Sequence, residues 1–360
     1  MIEFQVRKDN FAKTQLVESI AAPINDGEVR IAVNSFSFTA NNITYAMMGE
    51  RLSYWQFFPA IGDDAQAWGV IPVWGFATVI ESKSSELPVG ERLFGYFPPA
   101  SEVTITPVKV AQTTLFDGAA HRTQLPPGYN VYRRVTAEPA YDSGMDQDRM
   151  LLYPLYVTSF CLHDMLQDNA WYDAEQVIIV SASSKTSIGL AYALNEDESA
   201  PKIVGITSER NVELVKKLDL YDTVLSYQQL NQIDTTQKTA IVDMSANAQV
   251  LGKLHTLLGD NMRFCSNVGL THWDEAGAAE GIISERSEMF FAPSHIQKRM
   301  QDWGAEGFQT RSSEFINRTA LKSRTWLEMK TIDGIQGLSD IYPDVCDGRM
   351  RPEQGLIIEL

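Results

Sequence analysis

Residues 177–189, VIIVSASSKTSIG, and residues 202–211, KIVGITSERN, carry the side chains of this chain best suited to chemistry. Each segment is a β-branched apolar run ending in small hydroxylated or charged residues, and Gly189 opens a helix-like stretch at 190–194. That is the pattern of a nucleotide-binding βαβ unit. A first strand delivers the chain to a tight turn, a helix N-terminus holds a pyrophosphate, and the end of the second strand meets the adenosine ribose. The usual G-x-G-x-x-G is absent. Ser183, Thr186 and Gly189 keep the spacing of a G-x-x-G-x-x-G variant with only its last glycine, read here as needed for close helix–strand packing. Ser183 and Thr186 offer hydroxyl donors to a phosphate, and Lys185 offers a positive charge. The alternatives are a βαβ unit without a ligand and an exposed lysine at a helix start. At the tip of the second run stand Ser208, Glu209 and Arg210. Ser208 and Arg210 suit a ribose 2′-phosphate where NAD-binding units place an acidic residue, so NADP(H) is favoured over NAD.

The elements that position these residues change character along the chain. Residues 1–150 are β-rich and turn-rich: 28–38 alternate apolar and polar side chains, 68–80 form a strand region broken by Pro72 and Gly75, and 92–96 and 102–108 are shorter strands. Residues 111–145 carry several prolines and little periodicity, and are read as an irregular insertion. A helix at 151–166 then leads into alternating runs: strands at 177–180, 203–206, 223–225, 240–242 and 263–268, helices at 187–194, 211–218 and 248–258. Strands alternating with helices predict a doubly wound parallel sheet, hence an α/β chain. The expected domains are a β-rich one over 1–150, to which a strand within 345–360 returns, and a dinucleotide-binding one over 151–344. The second carries an insertion near 274–330 with helices at 294–303 and 312–329.

Composition narrows the partners. The chain has 360 residues, 44% apolar, and a formal net charge of −16, which argues against nucleic acid and anionic membrane as partners. No run approaches the ~18 apolar residues of a membrane span, and the first residues read as neither a signal peptide nor a presequence. The three cysteines are far apart, as expected of reduced thiols in a cytoplasmic protein. The five histidines show no ligand spacing with one another or with the cysteines, so no metal is expected.

Several segments in order resemble the medium-chain dehydrogenase/reductase superfamily, in particular its zinc-independent quinone-oxidoreductase and enoyl-reductase branch. Residues 27–49 resemble its opening strand and the turn after it. Val89-Gly90-Glu91-Arg92 resembles its VG(D/E)R before a strand, 153–166 the helix before the cofactor domain, and 208–227 the helix and short strand after the ribose tip. Asp347-Gly348 through Pro352 resembles its C-terminal DG-x-x-x-P turn. The resemblance implies a GroES-like N-terminal domain, a Rossmann domain, a small-molecule substrate, and a homodimer through the edge of the nucleotide-binding sheet, with 263–270 as the edge strand. Where zinc-dependent members carry a Cys and a His-Glu pair, this chain has Thr39-Ala40-Asn41-Asn42 and Trp74-Gly75-Phe76.

Without a metal, hydride transfer to a carbonyl needs hydrogen-bond donors at the developing oxyanion and a proton source. The resemblance implies Tyr45 as proton donor, with Asn42 orienting a carbonyl; the alternative for Tyr45 is a side chain packed at an interface. It also places Thr158, Ser183, Thr186, Ser245, Val268 and Gly269 near the cofactor. Tyr54, Trp55, Phe57, Phe58, Trp68 and Trp74 are candidates to line an apolar substrate pocket in the cleft between domains, although such a cluster more often forms a core or an interface. His272 and Trp273 are candidates for the same cleft, and Arg286, Lys298 and Arg299 for attracting an acidic substrate. The expected activity is NADPH-dependent reduction of a conjugated carbonyl compound, the alternative an NADP-binding sensor or scaffold without turnover.

Overall fold

The computed structural model describes residues 1–139, 141–268 and 280–360. The chain begins with strands β1 (Ile2–Arg7), β2 (Asn10–Glu18) and β3 (Val29–Phe38), helix α1 (Ala40–Met47), and strands β4 (Trp68–Gly69), β5 (Val73–Ser82), β6 (Arg92–Phe97), β7 (Glu102–Ile105), β8 (Pro107–Val108), β9 (Thr114–Asp117) and β10 (Val131–Arg134). Then follow α2 (Asp146–Asp168), β11 (Gln176–Val180), α3 (Lys185–Asn195), β12 (Lys202–Thr207), α4 (Val212–Lys217), β13 (Thr223–Ser226), β14 (Thr239–Asp243), α5 (Ala248–Leu258) and β15 (Met262–Asn267). The last elements are β16 (Ser287–Met289), α6 (Ala292–Ser323), β17 (Glu328–Asp333), α7 (Gly334–Cys346) and β18 (Gln354–Glu359).

Two compact units result: Met1–Leu151 with Leu327–Leu360, and Leu152–Trp326. Residues 327–344, expected in the dinucleotide domain, therefore belong to the first unit. There β17, α7 and β18 form a parallel crossover, and β18 pairs antiparallel with β3 (Leu356 opposite Phe38, Ile358 opposite Phe36). Tyr342 of α7 packs on Phe4 of β1, ring centroids 5.1 Å apart. The first unit otherwise runs through antiparallel pairs, with the sheet order β17-β18-β3-β5-β6-β10-β9-β8. Within residues 111–145, read as irregular, β9 and β10 join this sheet. They are held by Arg122, fully buried and bonded to Asp117 (2.9 Å), Asn130 (2.8 Å) and the Tyr132 hydroxyl (2.9 Å).

In the second unit the strands are all parallel, in the order β13-β12-β11-β14-β15-β16. Alternate residues of each strand face opposite sides. Ile178, Val180, Ile206 and Ile241 pack with Leu251 and Leu254 of α5. Val177, Ile179, Ala240 and Val242 pack with Leu162 of α2 and Leu190 of α3. A sheet buried on both faces requires strands that are apolar throughout, which is why β11 and β14 read as continuous runs. β15 is not the edge strand expected of residues 263–270: β16 pairs with it in parallel, Cys265 opposite Ser287. The two helices expected at 294–303 and 312–329 are one, α6, kinked at Gly304 (φ 76°) and ending at Ser323.

Candidate functional site: the carboxyl edge of the parallel sheet

Strand order reverses between β11 and β14, and at such a switch point the strand ends open a crevice for ligands. Val180, the last residue of β11, pairs with Ile206 of β12 on one side and with Asp243 of β14 on the other. The chain leaves β11 through Ser181 in the left-handed region (φ 65°). Ser184 then caps α3, accepting from the Ser187 amide at 3.1 Å, so Lys185 and Thr186 occupy the first turn. A helix start facing this crevice attracts an anion through its dipole and its orphan amides.

Ser183 sits below that turn as a buried peg. Its hydroxyl accepts from the Thr207 hydroxyl and from the Asn211 amide, each at 3.0 Å, which ties the glycine-poor loop to the tip of β12. Ser208 is half-buried and Arg210 exposed on that same tip. Ser245 stands just past β14, where its amide and hydroxyl donate to Oδ1 of Asp243 (2.9 and 2.6 Å). The Val268 amide donates to the Asp243 carbonyl at 2.8 Å. Ser183, Lys185, Thr186, Ser208, Arg210, Ser245 and Val268 thus share one edge of one sheet. Gly269, His272 and Trp273 lie outside the described residues. Thr158 is not drawn to the loop by its hydroxyl, which donates to Pro154 within α2.

Gly189 packs a helix rather than a strand. A Cβ there would lie 2.6 Å from Ser159 Oγ and from the Tyr156 ring of α2, and the Ser159 hydroxyl bonds the Thr186 carbonyl at 2.7 Å. Sequence reasoning passed over Thr207, Asn211 and Asp243, of which only Asp243, an acid closing an apolar run, carried a visible signal. Its Oδ2 is buried with no hydrogen-bond partner, and burial raises its pKa. Arg286, Lys298 and Arg299 do not gather at this edge: Arg286 donates to the Met262 carbonyl (2.7 Å), and Arg299 bridges Asp164, Asp168 and Asp302.

In the first unit Asn42 and Tyr45 lie on a helix, not in the expected turn. Asn42 completes the capping box of α1: its Oδ1 accepts from the Thr39 amide at 2.8 Å, and its Nδ2 donates to the Pro72 carbonyl at 2.9 Å. Tyr45 is 6% exposed, and burial pushes its phenol pKa up. Its ring lies 4.7 Å from Tyr54 and 5.7 Å from Tyr96. Tyr54, Phe57, Phe58 and Trp74 join this cluster together with Tyr96 and Tyr129. Trp55 instead lies in a slot formed by Gly49 and Gly69, and Trp68 lies under the Arg7 guanidinium. Among the described residues no group of three or more His, Cys, Asp or Glu could hold a metal ion. Nor is any helix there long and apolar enough to cross a membrane.

The profile of the family described as "Protein of unknown function (DUF2855)" matches residues 36–351. The chain belongs to the DUF2855 family. No curated protein matches this DUF2855 chain in sequence. Among solved structures it is similar to CurA from Vibrio vulnificus in complex with NADPH (TM-score 0.64, 12% identity, covering 100% of this chain and 99% of that one). It is also similar to a mycobacterial protein complexed with NADPH (0.59, 13%, 100% of both chains) and to the quinone oxidoreductase from Coxiella burnetii (0.55, 12%, 100% and 99%). The DUF2855 chain has the medium-chain dehydrogenase/reductase fold, a GroES-like unit and a Rossmann unit, shared with these structures at 12–13% identity.

Proposed function

We propose that the chain is an NADPH-dependent, zinc-independent oxidoreductase acting on a conjugated carbonyl substrate: an enone, a quinone or an enoyl thioester. One observation carries the reading. The N-terminus of α3, with Lys185 and Thr186 in its first turn, opens at the β11–β14 switch point beside a β12 tip bearing Ser208 and Arg210. These residues fit NADPH: the helix start and Lys185 suit the pyrophosphate, Ser208 and Arg210 the 2′-phosphate, and Ser245 and Val268 line the side toward β14. Ser183 holds the loop in place and, accepting both of those bonds, keeps its own O–H to donate to a phosphate. The NADPH complexes among the similar structures support the cofactor, and the CurK enoyl reductase and the quinone oxidoreductase support the reaction class.

NADPH supplies the hydride. Tyr45 is the proposed proton donor, a phenol that is protonated at neutral pH and stands at the position the reductase resemblance assigns to that role. Asn42 retains one N–H beyond its capping role for a carbonyl. The donor types at Thr39–Asn42 and Trp74–Phe76, without Cys or His, support zinc independence, expected to appear as activity unaffected by chelators. A cytoplasmic homodimer completes the reading, with β16 rather than β15 at the sheet edge; light scattering tests the stoichiometry.

The test is titration with NADPH and NADH, following nicotinamide fluorescence, beside Arg210→Ala. NADPH should bind more tightly than NADH, and the variant should lose that preference. Binding of neither nucleotide would remove the oxidoreductase reading. The engagement of Asn42 and the burial of Tyr45 favour a second reading, an NADP-binding sensor without turnover. The two part on NADPH oxidation by enones and quinones: a reductase turns over and slows about 100-fold in Tyr45→Phe, whereas a sensor binds NADPH and oxidises none.

A further inference from the structure

We propose that Tyr96 and the rings around it form a binding site for a planar, uncharged conjugated carbonyl compound, the Tyr96 hydroxyl donating to the carbonyl oxygen. The inference deepens the reductase reading, which it needs for turnover but not for binding.

Tyr96, on β6, is fully buried, and its hydroxyl has no hydrogen-bond partner. An orphaned hydroxyl of this kind destabilises the fold, and phenylalanine would fill the same space without that cost. The strand beneath it is fixed, because the Tyr132 hydroxyl donates to the Tyr96 carbonyl at 2.9 Å. Around its ring stand Tyr129 at 4.7 Å, Trp74 at 5.2 Å, Phe57 at 5.3 Å and Tyr45 at 5.7 Å between centroids. The Tyr54 and Tyr129 hydroxyls pair with each other at 3.0 Å and leave Tyr96 out.

These walls select a ligand. Aromatic faces favour a flat π-system. The guanidinium within electrostatic reach, Arg122, is held by Asp117, Asn130 and Tyr132, so an anionic ligand finds it already neutralised. A cation would satisfy the ring faces but would have to leave water for a buried cluster, a cost that a neutral ligand avoids. A neutral conjugated carbonyl satisfies both the rings and the hydroxyl. Tyr129, half-buried on the turn Pro127–Tyr129, is the nearest of these rings to Tyr96, and Arg122 holds its backbone through the Tyr129 carbonyl at 2.8 Å.

The probe is tetramethyl-1,4-benzoquinone, whose methylated ring does not alkylate thiols. It is titrated into the full-length protein, alone and with NADP+, while tryptophan fluorescence reports quenching. Saturable quenching is expected, weakened about tenfold in Tyr96→Phe, the loss of one net hydrogen bond. NADPH affinity should stay unchanged, and the variant's melting temperature should rise as an unpaired buried group is removed. Equal quinone affinity in the variant, or no saturable quenching of the wild type, overturns the inference. Loss of nucleotide binding alone would instead overturn the reductase reading. If the variant does not fold, displacement of the quinone from the wild type by tetramethylbenzene decides: the carbonyl-free ring should compete about tenfold more weakly, and equal competition overturns the inference.

Discussion

Single residues in this chain are committed to two kinds of work, holding the crevice in shape and leaving a group exposed for a ligand. Gly189 does the first. Tyr156 cannot retreat from an added methyl, because its hydroxyl bonds Ser323 at 2.6 Å, and Ser159 is held by the Thr186 carbonyl. Gly189→Ala should therefore destabilise the second unit by about 1–3 kcal/mol, more than the helix propensity alanine returns, read as a lower urea midpoint. Arg210, exposed on the β12 tip, is proposed for the second, and its removal should alter nucleotide preference without moving that midpoint. Ser183 shows what residue type alone does not: two donors from β12 and its following turn converge on its oxygen and tie the loop to that strand.

Elements divide along the same line. The Ser184 side chain is the N-cap of α3, and Ser184→Ala should cost about 1 kcal/mol. Because that cap shapes the helix start, the same variant should also weaken NADPH binding, a pairing that a change on the far end of α3 would not show. The strands of the parallel sheet were legible because burial on both faces leaves an apolar run in β11 (177–180), β12 (203–206) and β14 (240–242). α1 was not. Thr39-Ala40-Asn41-Asn42 reads as a turn by composition, and its helix depends on a capping box and on a hydrogen bond from the Asn42 side chain to the Pro72 carbonyl that no local pattern shows. β1 and β2 went unread because β2 is half-exposed and mixes charged with apolar residues. The aromatic cluster was visible as composition, but its contents were not: Tyr96 and Tyr129 reach it from positions far along the chain.

At the scale of the molecule, titration sets a stability window. His255 of α5 is buried, its Nδ1 accepts from the Ile283 amide at 3.0 Å, and burial pulls its pKa down to about 4 from 6.5. A group depressed in the folded state favours the neutral form there, so stability is intact above pH 6.5 and is lost as pH falls toward 4. His255→Asn, which keeps an acceptor at the δ position, should flatten that decline in urea unfolding at stepped pH. Below this window the carboxylates take over. Burial opposes ionisation of Asp164, but its bonds to His295 and Arg299 outweigh it and hold the carboxyl below its usual range. Its contribution survives above pH 4 and fails below.

The pairing of β18 with β3 joins residues from opposite ends of the chain. On a ribosome, residues 152–326 emerge and can close their own sheet while the first unit still waits for its last strand. Until residues 354–359 leave the exit tunnel, the end of β3 at 35–38, beyond the stretch that β7 covers, has no partner on that edge and is open to pairing with another chain. The Rossmann unit should therefore resist protease in nascent chains arrested soon after residue 326 has emerged, whereas the first unit should become resistant only upon release. A stop codon before Gln354 would leave that unit permanently unfinished, yielding a protein that aggregates although the nucleotide crevice is encoded whole.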